Sequence, residues 1–277
     1  MLLLNLNYWR LFLLLSLLGT SHAQADDSSG VWQSLSKEEK AVSLNLGLAG
    51  FITIWGVTHW DYFQIAPTAT SEGWFENTSG EGGADKMGHA FTSYAMSHAL
   101  MATYEGWGFG FEDAARYGSL SALGIQTFME FGDSFSRFGF AYEDFIANAV
   151  GSAAGYLSWR YPQIRDKVDF RLEYAPAFDN ADVFTDYEAH KYVVALKLAG
   201  FDAFRDGPLK YLELHTGYYT RGYENTIRAD NERVLYFGIG INFSAIAKAR
   251  GYKKIGTFLN YYQVPYTYLP LEHDFND

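Results

Sequence analysis

The stretch that decides the fold of this chain begins GGADKMGHAFTSYAMSHAL (residues 82–100) and ends VGSAAG (residues 150–155). Its apolar residues follow the period of a helix, and polar side chains recur among them at spacings of three and four residues. Residues at these spacings share one face of a helix. The stretch therefore predicts a small helical bundle with a polar site inside it.

Three helices are predicted here, over Asp85–Glu105, Glu112–Phe131 and Tyr142–Trp159. Glycine-containing turns separate them, and Pro162 ends the last one. Because short connections favour antiparallel neighbours, we expect an up-and-down bundle. The third helix should also contact another backbone closely, because one face carries small residues at a spacing of four: Ala147, Gly151 and Gly155.

The segment Val42–Trp60 contains no charged residue and approaches the length of a bilayer span. Asn45, Thr53 and Thr58 dilute its hydrophobic character. Two interpretations stay open. The segment is either a buried helix of the bundle or a helix embedded in a membrane, where its aromatic end would suit the interface.

After Lys167 the periodicity changes from helical to two-fold, which is typical of strands. The alternation is clearest in Leu212–Tyr218 and Leu235–Phe243; a similar strand contains Val194–Leu198, and a last extended segment covers Leu259–Tyr268. The pattern predicts an antiparallel meander of roughly five strands. The predicted fold class is α+β, with an N-terminal antiparallel helical bundle followed by a C-terminal antiparallel β-meander.

This sheet also has two interpretations, because its aromatic and glycine alternation resembles that of outer-membrane barrel strands. Closed barrels usually need about eight strands, and the chain ends in the acidic segment Glu272–Asp277, so we expect a sheet packed on the helices. We also expect the mature chain to associate with the outer membrane through one face of the sheet. That face is predicted around Tyr236, Phe237, Ile239 and Phe243. If it packs on the helices instead, the protein stays in the periplasm.

The N-terminus has the features of a secretory signal peptide. Arg10 is the only charged residue before Asp26, the apolar run Leu11–Leu18 follows it, and residues 23–25 (AQA) offer a cleavage site. We predict export with cleavage before Asp26, the alternative being a retained anchor helix. The chain then divides into a signal peptide (residues 1–25), a helical bundle with the polar site (residues 26–165) and an antiparallel β-sheet region (residues 166–277).

Composition limits the classes of function. The formal net charge of −11 gives no support for nucleic-acid binding, which needs a basic surface. The sequence contains no Cys, so we expect neither disulfides nor the acylated N-terminal Cys of a lipoprotein. With 48% hydrophobic and 18% aromatic residues, the chain can build a substantial core.

The first polar group of the site opens the first predicted helix of the stretch. Asp85 and His89 lie four residues apart with Lys86 beside them, which suits a general base oriented by a carboxylate, or a metal pair. His89, Asp85 and Lys86 are therefore the candidate catalytic residues. The structural alternative is a salt bridge at the start of a helix, where Asp85 would complement the helix dipole.

The second polar group ends the next helix. Glu130 and Asp133 lie three residues apart, so their carboxylates could hold a divalent metal ion or share a proton. Arg137 follows as a candidate ligand-binding residue, or as the counter-ion of a polar helix end.

The third polar group begins the last helix, where Asp144 and Asn148 lie four residues apart as further candidate ligand-binding residues. Asp144 could cap the helix, but Asn148 falls inside an apolar run. A buried amide without partners is costly, so Asn148 indicates that the three groups share a buried network. Five side chains are expected to converge inside the bundle: Asp85, His89, Glu130, Asp144 and Asn148.

The order and spacing of these polar groups resemble those of VanZ-like proteins. The motifs concerned are Asp-Lys-x-x-His, Glu-x-x-Asp, a following Arg and Asp-x-x-x-Asn-x-x-Gly-x-x-x-Gly. They resemble still more the family of predicted periplasmic lipoproteins of the YfiM type, a domain of unknown function. VanZ-like proteins are multi-span membrane proteins linked to glycopeptide resistance, and they often carry Gln where this chain has Asp133. The YfiM type is exported and lipid-anchored. The resemblance covers about Asp85–Trp159 and assigns no reaction. It implies a role in the cell envelope and a shared site at Asp85, Lys86, His89, Glu130, Arg137, Asp144 and Asn148.

Three functions are compatible with these observations. The first is an envelope protein of Gram-negative type, at the outer membrane or its periplasmic face, that binds an envelope lipid or glycan precursor in the polar site. The second is a hydrolase of such a molecule, with His89 as general base and with Glu130 and Asp133 holding a divalent cation. The third is a structural envelope protein in which the polar groups lock the helices together.

Overall fold

A computed structural model describes residues 30–175, 184–223 and 231–275 of the chain, and the predicted signal peptide with its cleavage site lies outside these residues. Helices make up the first half of the described chain, and a five-stranded antiparallel sheet dominates the second, which confirms the predicted α+β class. The helices of the first half are α1 (Gly30–Ser34), α2 (Lys37–His59), α3 (Ala84–Gly106), α4 (Phe111–Asp133), α5 (Tyr142–Arg160) and α6 (Pro162–Arg165).

Two of the long helices, α2 and α3, begin at clear start signals in the sequence. A capping box begins α2: the Ser36 hydroxyl accepts a hydrogen bond from the backbone N–H of Glu39, and the Glu39 carboxylate accepts one from the N–H of Ser36. Gly83 leads into α3 with a φ of 90°, a left-handed conformation that favours glycine. The three helices predicted from periodicity match α3, α4 and α5 to within two residues at each end.

Helix α5 packs closely on α3 because glycines face the contact. A Cβ atom added at Gly151 would lie 2.0 Å from the backbone oxygen of Ala90, and one added at Gly155 would lie 2.8 Å from the Cβ of Ser97. A larger side chain would force the two helices apart. The predicted stripe of small residues therefore has its expected role.

For α2, the structure does not support the buried interpretation. The helix packs on α4 through Leu48 and Ile52, which contact Ile125, but only 11% of its most apolar part is buried. It is also the one helix of the described chain that is long and apolar enough to cross a membrane, a length-and-composition test that core helices also pass. Large apolar side chains project from it into the surroundings: Val42, Leu46, Phe51, Ile54 and Val57.

Two short strands, β1 (Ala69–Thr70) and β2 (Phe140–Ala141), pair in parallel beside the bundle. The main sheet follows, and each of its strands pairs antiparallel with the next in chain order. Its strands are β3 (Val168–Tyr174), β4 (His190–Lys197), β5 (Leu212–Arg221), β6 (Glu232–Ile241) and β7 (Tyr268–Asp274), with the short helices α7 (Phe243–Ala249) and α8 (Lys253–Phe258) between β6 and β7.

The predicted position of the last strand is wrong. Most of Leu259–Tyr268 consists of turns and one short contact, in which the Leu172 N–H donates to the Tyr261 oxygen and the Gln263 N–H donates to the Leu172 oxygen. The last strand, β7, instead runs into the acidic C-terminal segment and pairs with β6. The aromatic alternation of Leu259–Tyr268 predicted a strand over its whole length, but the segment lies beside β3 for only three residues, 261–263.

The main sheet has a polar face that is buried and an apolar face that is partly exposed. Successive side chains of a strand point to opposite sides, so Tyr236 lies on the buried face and does not join Phe237 and Ile239 in an apolar patch. Phe243 lies in α7 and not in a strand. The buried face holds Asp169, Arg171, Lys197, Glu213 and His215. The exposed part of the other face holds Leu214, Phe237, Ile239, Leu269 and Leu271.

The sheet packs on the bundle, as predicted, but with only part of its apolar face. The Phe170 ring of β3 lies 5.5 Å from that of Phe91 on α3, measured between centroids. Further along the strands, the Tyr218 hydroxyl of β5 donates to the backbone oxygen of Gly82. The apolar face of β6 and β7 stays uncovered, since Phe237 and Leu271 are 57% and 78% exposed.

Candidate functional site

Three carboxylates surround the ammonium group of Lys86 at one end of the bundle. Its Nζ lies 2.7 Å from Oε2 of Glu72, 2.6 Å from Oδ2 of Asp85 and 2.7 Å from Oδ1 of Asp144. The Lys86 side chain is only 2% exposed. These contacts join the loop before α3 to the first turns of α3 and α5.

His89 and Glu130 lie next to this group. The Nδ1 atom of His89 is 3.3 Å from Oε1 of Glu130, and its Nε2 is 3.8 Å from Oδ1 of Asp144. One turn along α3 from Lys86, His89 therefore faces the last turn of α4 and the first turn of α5. We call the six side chains Glu72, Asp85, Lys86, His89, Glu130 and Asp144 the Lys86 cluster.

Asn148 is fully buried and connects the cluster to the interior of the bundle. Its amide nitrogen donates to Oε1 of Glu130 at 3.3 Å. Its amide oxygen accepts from the Ser93 hydroxyl at 2.8 Å and from the Gln126 amide at 3.3 Å. Both ends of the amide are used, as expected for a buried Asn. The five side chains that the sequence predicted to converge do converge.

The cluster is enclosed on most sides. The side chains of Glu130 and Asp144 are 2% and 6% exposed, those of Asp85 and His89 are 13% and 14% exposed, and that of Glu72 is 29% exposed. Solvent therefore reaches the cluster from the side of Glu72, which belongs to the loop between β1 and α3.

Burial favours the uncharged forms of the carboxyl groups in the cluster. Burial raises the pKa of Glu130 to about 10, and the charges of Asp144 and Asp133 add to the shift. Burial also raises the pKa of Asp144 and of Glu72, although Lys86 opposes both shifts. For Lys86 itself, burial acts to lower the pKa, but Asp85 and Asp144 outweigh it and the pKa is raised. At neutral pH Lys86 is charged and Glu130 holds a proton.

Among the residues that the structure describes, two overlapping groups of side chains could hold a cation. One is His89, Glu130 and Asp144, and the other is Glu72, Asp85 and Asp144; within each group the ligand atoms lie within 4.8 Å of one another. Imidazole with carboxylates suits zinc or another transition metal, whereas carboxylates alone suit calcium or magnesium. A bound cation would supply the positive charge that the cluster lacks, although Lys86 already contacts the Asp144 oxygen.

Asp133 and Arg137 lie at the edge of the site or outside it. Asp133 faces Tyr62. Burial raises the pKa of Asp133 to about 7, although the hydrogen bond from Tyr62 acts to lower it. Neither of the two candidate groups includes Asp133, and Glu130 lies next to His89 and Asp144. Arg137 is exposed and lies over the ring of Phe138, 5.1 Å from its centroid, because the turn after α4 carries it away from the bundle interior.

Three members of the network, Ser93, Gln126 and Glu72, are not among the residues predicted from the sequence. Ser93 and Gln126 lie four residues from His89 and Glu130, so extending the same helical spacing by one step would have found them. Glu72 gives no periodic signal, because it lies in a loop fourteen residues before Lys86. Only the fold brings its carboxylate to the cluster.

Comparison with known proteins identifies one region. Residues 71–160 match the model of the family described as "Predicted periplasmic lipoprotein (DUF2279)". This match covers about a third of the chain and contains every member of the Lys86 cluster. It supports a periplasmic lipoprotein-like domain of unknown function. No curated protein and no solved structure matches the chain.

Proposed function

We propose that this chain is an exported envelope protein of the outer membrane whose Lys86 cluster binds the polar part of an envelope lipid or glycan precursor. The observation that carries the proposal is the cluster itself, in which four carboxyl groups and one lysine are enclosed at the end of a bundle and open to solvent at Glu72. Charged groups are costly to bury, so a cluster with so few cations needs a role or a ligand to offset that cost.

The chemistry of the cluster favours a ligand rich in hydrogen-bond donors. Three carboxylates already occupy the Lys86 ammonium group, so it has little capacity left for a phosphate. The carboxylates of Glu72 and Asp85, nearest to solvent, can still accept hydrogen bonds from hydroxyl or amino groups. Sugar hydroxyls, an amino sugar or an ethanolamine head group present such donors.

Envelope location is supported by the description of the matched family and by the signal-like N-terminus. N-terminal sequencing of the mature protein should give a start at Asp26. In fractionated cells the protein should stay with outer membranes after a high-salt wash and leave them in detergent. A protein that starts at Met1, or one recovered from the cytoplasm, would contradict export.

Native mass spectrometry of the protein extracted in detergent tests ligand binding. The unmodified protein should retain a lipid or lipid-linked sugar that Glu72→Gln loses, because this change removes one acceptor at the opening of the cluster. Glu112→Gln is the matched control, since Glu112 pairs with Arg160 at the opposite end of the bundle. Equal retention by both variants would exclude the cluster as the binding site.

A second candidate function is metal-assisted hydrolysis of the same class of molecule. The observation that favours it is the approach of His89, Glu130 and Asp144 to within 4.8 Å of one another. One equivalent of a divalent metal should then be found in the purified protein by elemental analysis and should be lost in Glu130→Gln. If the protein stays free of metal after incubation with zinc, calcium or magnesium, metal-assisted hydrolysis is excluded. The proposal that the cluster binds a lipid or glycan is not affected by that result.

A further inference from the structure

Charged residues of the four long helices lie at the helix ends. Each helix has a central part free of Asp, Glu, Lys and Arg: between Lys40 and Asp61 for α2, between Lys86 and Glu105 for α3, between Arg116 and Glu130 for α4, and between Asp144 and Arg160 for α5. The charged residues are therefore concentrated at two levels along the bundle.

Contacts show that these levels coincide from helix to helix. At one end, the Lys86 cluster joins the start of α3 and the start of α5 to the end of α4. At the opposite end, the Arg160 guanidinium lies 2.8 Å from the Glu112 carboxylate, and the Lys37 ammonium group donates to the Gly108 oxygen. The bundle thus has two charged ends and a charge-free middle.

The middle of the bundle exposes large apolar side chains and buries many polar ones, unlike an ordinary soluble bundle. Leu46 and Ile54 of α2 are each 68% exposed, Leu120 of α4 is 62% exposed and Val150 of α5 is 58% exposed. Apolar residues such as Leu100, Met101 and Ile125 are buried at the same levels, but many polar side chains are buried beside them: Ser93, Ser97, His98, Gln126, Asn148, Ser152 and Ser158.

The Trp residues of the described chain lie at the same two levels. The six Trp residues of the described chain all lie within about one turn of a helix end or in the adjoining loops. Trp32, Trp107 and Trp159 mark the end opposite the cluster, and Trp55, Trp60 and Trp74 mark the end that carries it. Trp and Tyr are enriched where a protein meets the two interfaces of a bilayer.

The sheet continues the apolar middle. Its exposed outer side chains, among them Leu214, Phe237 and Ile239, lie between the charged residues Arg233 at one end of β6 and Lys210 just before β5 at the other. We call this surface, together with the exposed middle of α2, α4 and α5, the apolar belt. Soluble monomers rarely expose contiguous apolar patches of more than a few hundred Å², and larger ones mark sites of interaction with proteins or membranes.

We propose that the apolar belt faces the acyl chains of a lipid bilayer, with the Trp residues at its two interfaces and the Lys86 cluster at one membrane surface. A helix as long as α2, with 23 residues, spans roughly 35 Å, which is enough to cross a bilayer core of roughly 30 Å. The charge-free parts of α4 and α5 span roughly 20–25 Å, close to the apolar band of about 25 Å found on outer-membrane proteins. A partner protein would cover one side of the belt, whereas the belt extends over three helices and the sheet.

This inference does not depend on the proposed function, because it concerns the outer surface and not the ligand of the cluster. It widens the predicted membrane contact from the sheet to the helices. The inward polar network lowers the mean hydropathy of α4 and α5 below that of an ordinary membrane-spanning helix, while their outward faces remain apolar.

The chain contains no cysteine, so single-cysteine variants can be labelled without removing native thiols. Leu46→Cys, Val150→Cys and Ile239→Cys place an environment-sensitive fluorophore on α2, α5 and β6 of the belt. Asp202→Cys is the control, because its side chain is 91% exposed in a charged turn outside the belt. Circular dichroism verifies the fold of each variant, and the full chain is reconstituted in phosphatidylethanolamine–phosphatidylglycerol vesicles.

In these vesicles the three belt labels should show blue-shifted emission and lose fluorescence to lipids that carry a spin label in the acyl chain. The Asp202→Cys label should respond only to aqueous iodide. Native Trp emission should be quenched more by a spin label near the head group than by one near the chain end. Belt labels that respond to iodide alone, or to neither quencher, would overturn the inference, the first by showing a solvent-exposed surface and the second by showing a protein interface.

Discussion

The Nζ atom of Lys86 lies 2.7 Å from Oδ1 of Asp144, and this contact joins the first turns of the parallel helices α3 and α5. Two further carboxylates, from Asp85 and Glu72, approach the same ammonium group. One lysine therefore compensates carboxylates from three parts of the chain. The cluster depends on this residue for charge balance.

Replacement of Lys86 by Met should lower the free energy of unfolding by about 3 kcal/mol at pH 8, since it leaves buried carboxylates without a partner. The loss should shrink near pH 5, because burial raises the pKa of Asp144 and Glu72 and lets them take up protons. Chemical denaturation at both pH values measures the difference. Lys37→Met, at an exposed lysine 3.9 Å from Glu38, is the control and should change stability little. An equal effect of Lys86→Met at the two pH values would count against charge pairing.

Replacement of Asn148 by Leu should destabilise the protein by about 1–3 kcal/mol, because it leaves Ser93, Gln126 and Glu130 without their hydrogen-bond partner. The thermal midpoint in detergent measures this effect. Ser119→Ala, at a hydroxyl that bonds only to the backbone of its own helix, is a suitable comparison and should cost less. An unchanged midpoint in Asn148→Leu would mean that the network contributes nothing to stability.

The stability of the protein should fall as pH rises from about 5 to about 10. Glu130 keeps its proton in the folded state up to its pKa of about 10, whereas in the unfolded state it loses the proton near its ordinary value of 4.5. The folded state therefore binds more protons in this window, and each pH unit costs up to about 1.4 kcal/mol. Glu130→Gln, which cannot titrate, should flatten the decline in a series of thermal melts. A decline of the same slope in the variant would assign the proton to another group.

Replacement of Gly151 by Ala should destabilise the bundle, because the new Cβ would lie 2.0 Å from the Ala90 backbone oxygen. Gly124→Ala is the matched control. It also lies inside a long helix, but nothing lies within 4 Å of its added Cβ, so it should gain up to about 1 kcal/mol from helix propensity. Thermal melts of the two variants should therefore shift in opposite directions. Shifts of the same sign would contradict the close packing of α3 and α5.

Local patterns in the sequence predict much of the fold and of the site. Helix periodicity and glycine turns locate α3, α4 and α5, because these signals act within a few residues. The spacing of Asp85, His89 and Glu130 likewise predicts that their side chains share faces of neighbouring helices. By contrast, the acidic sequence of β7 gives no strand pattern. This strand forms because it pairs with β6, and that contact cannot be read from the segment itself.

The sequence by itself determined the helical and two-fold periods, the absence of charge in the middle of the helices and the polar groups at their ends. Only the tertiary structure decided which side of each element faces inward, because periodicity defines faces without stating what covers them. It brought Glu72 from a loop to Lys86 and carried Arg137 away from the site. It also turned many polar side chains of the bundle inward and left large apolar side chains exposed on its outside.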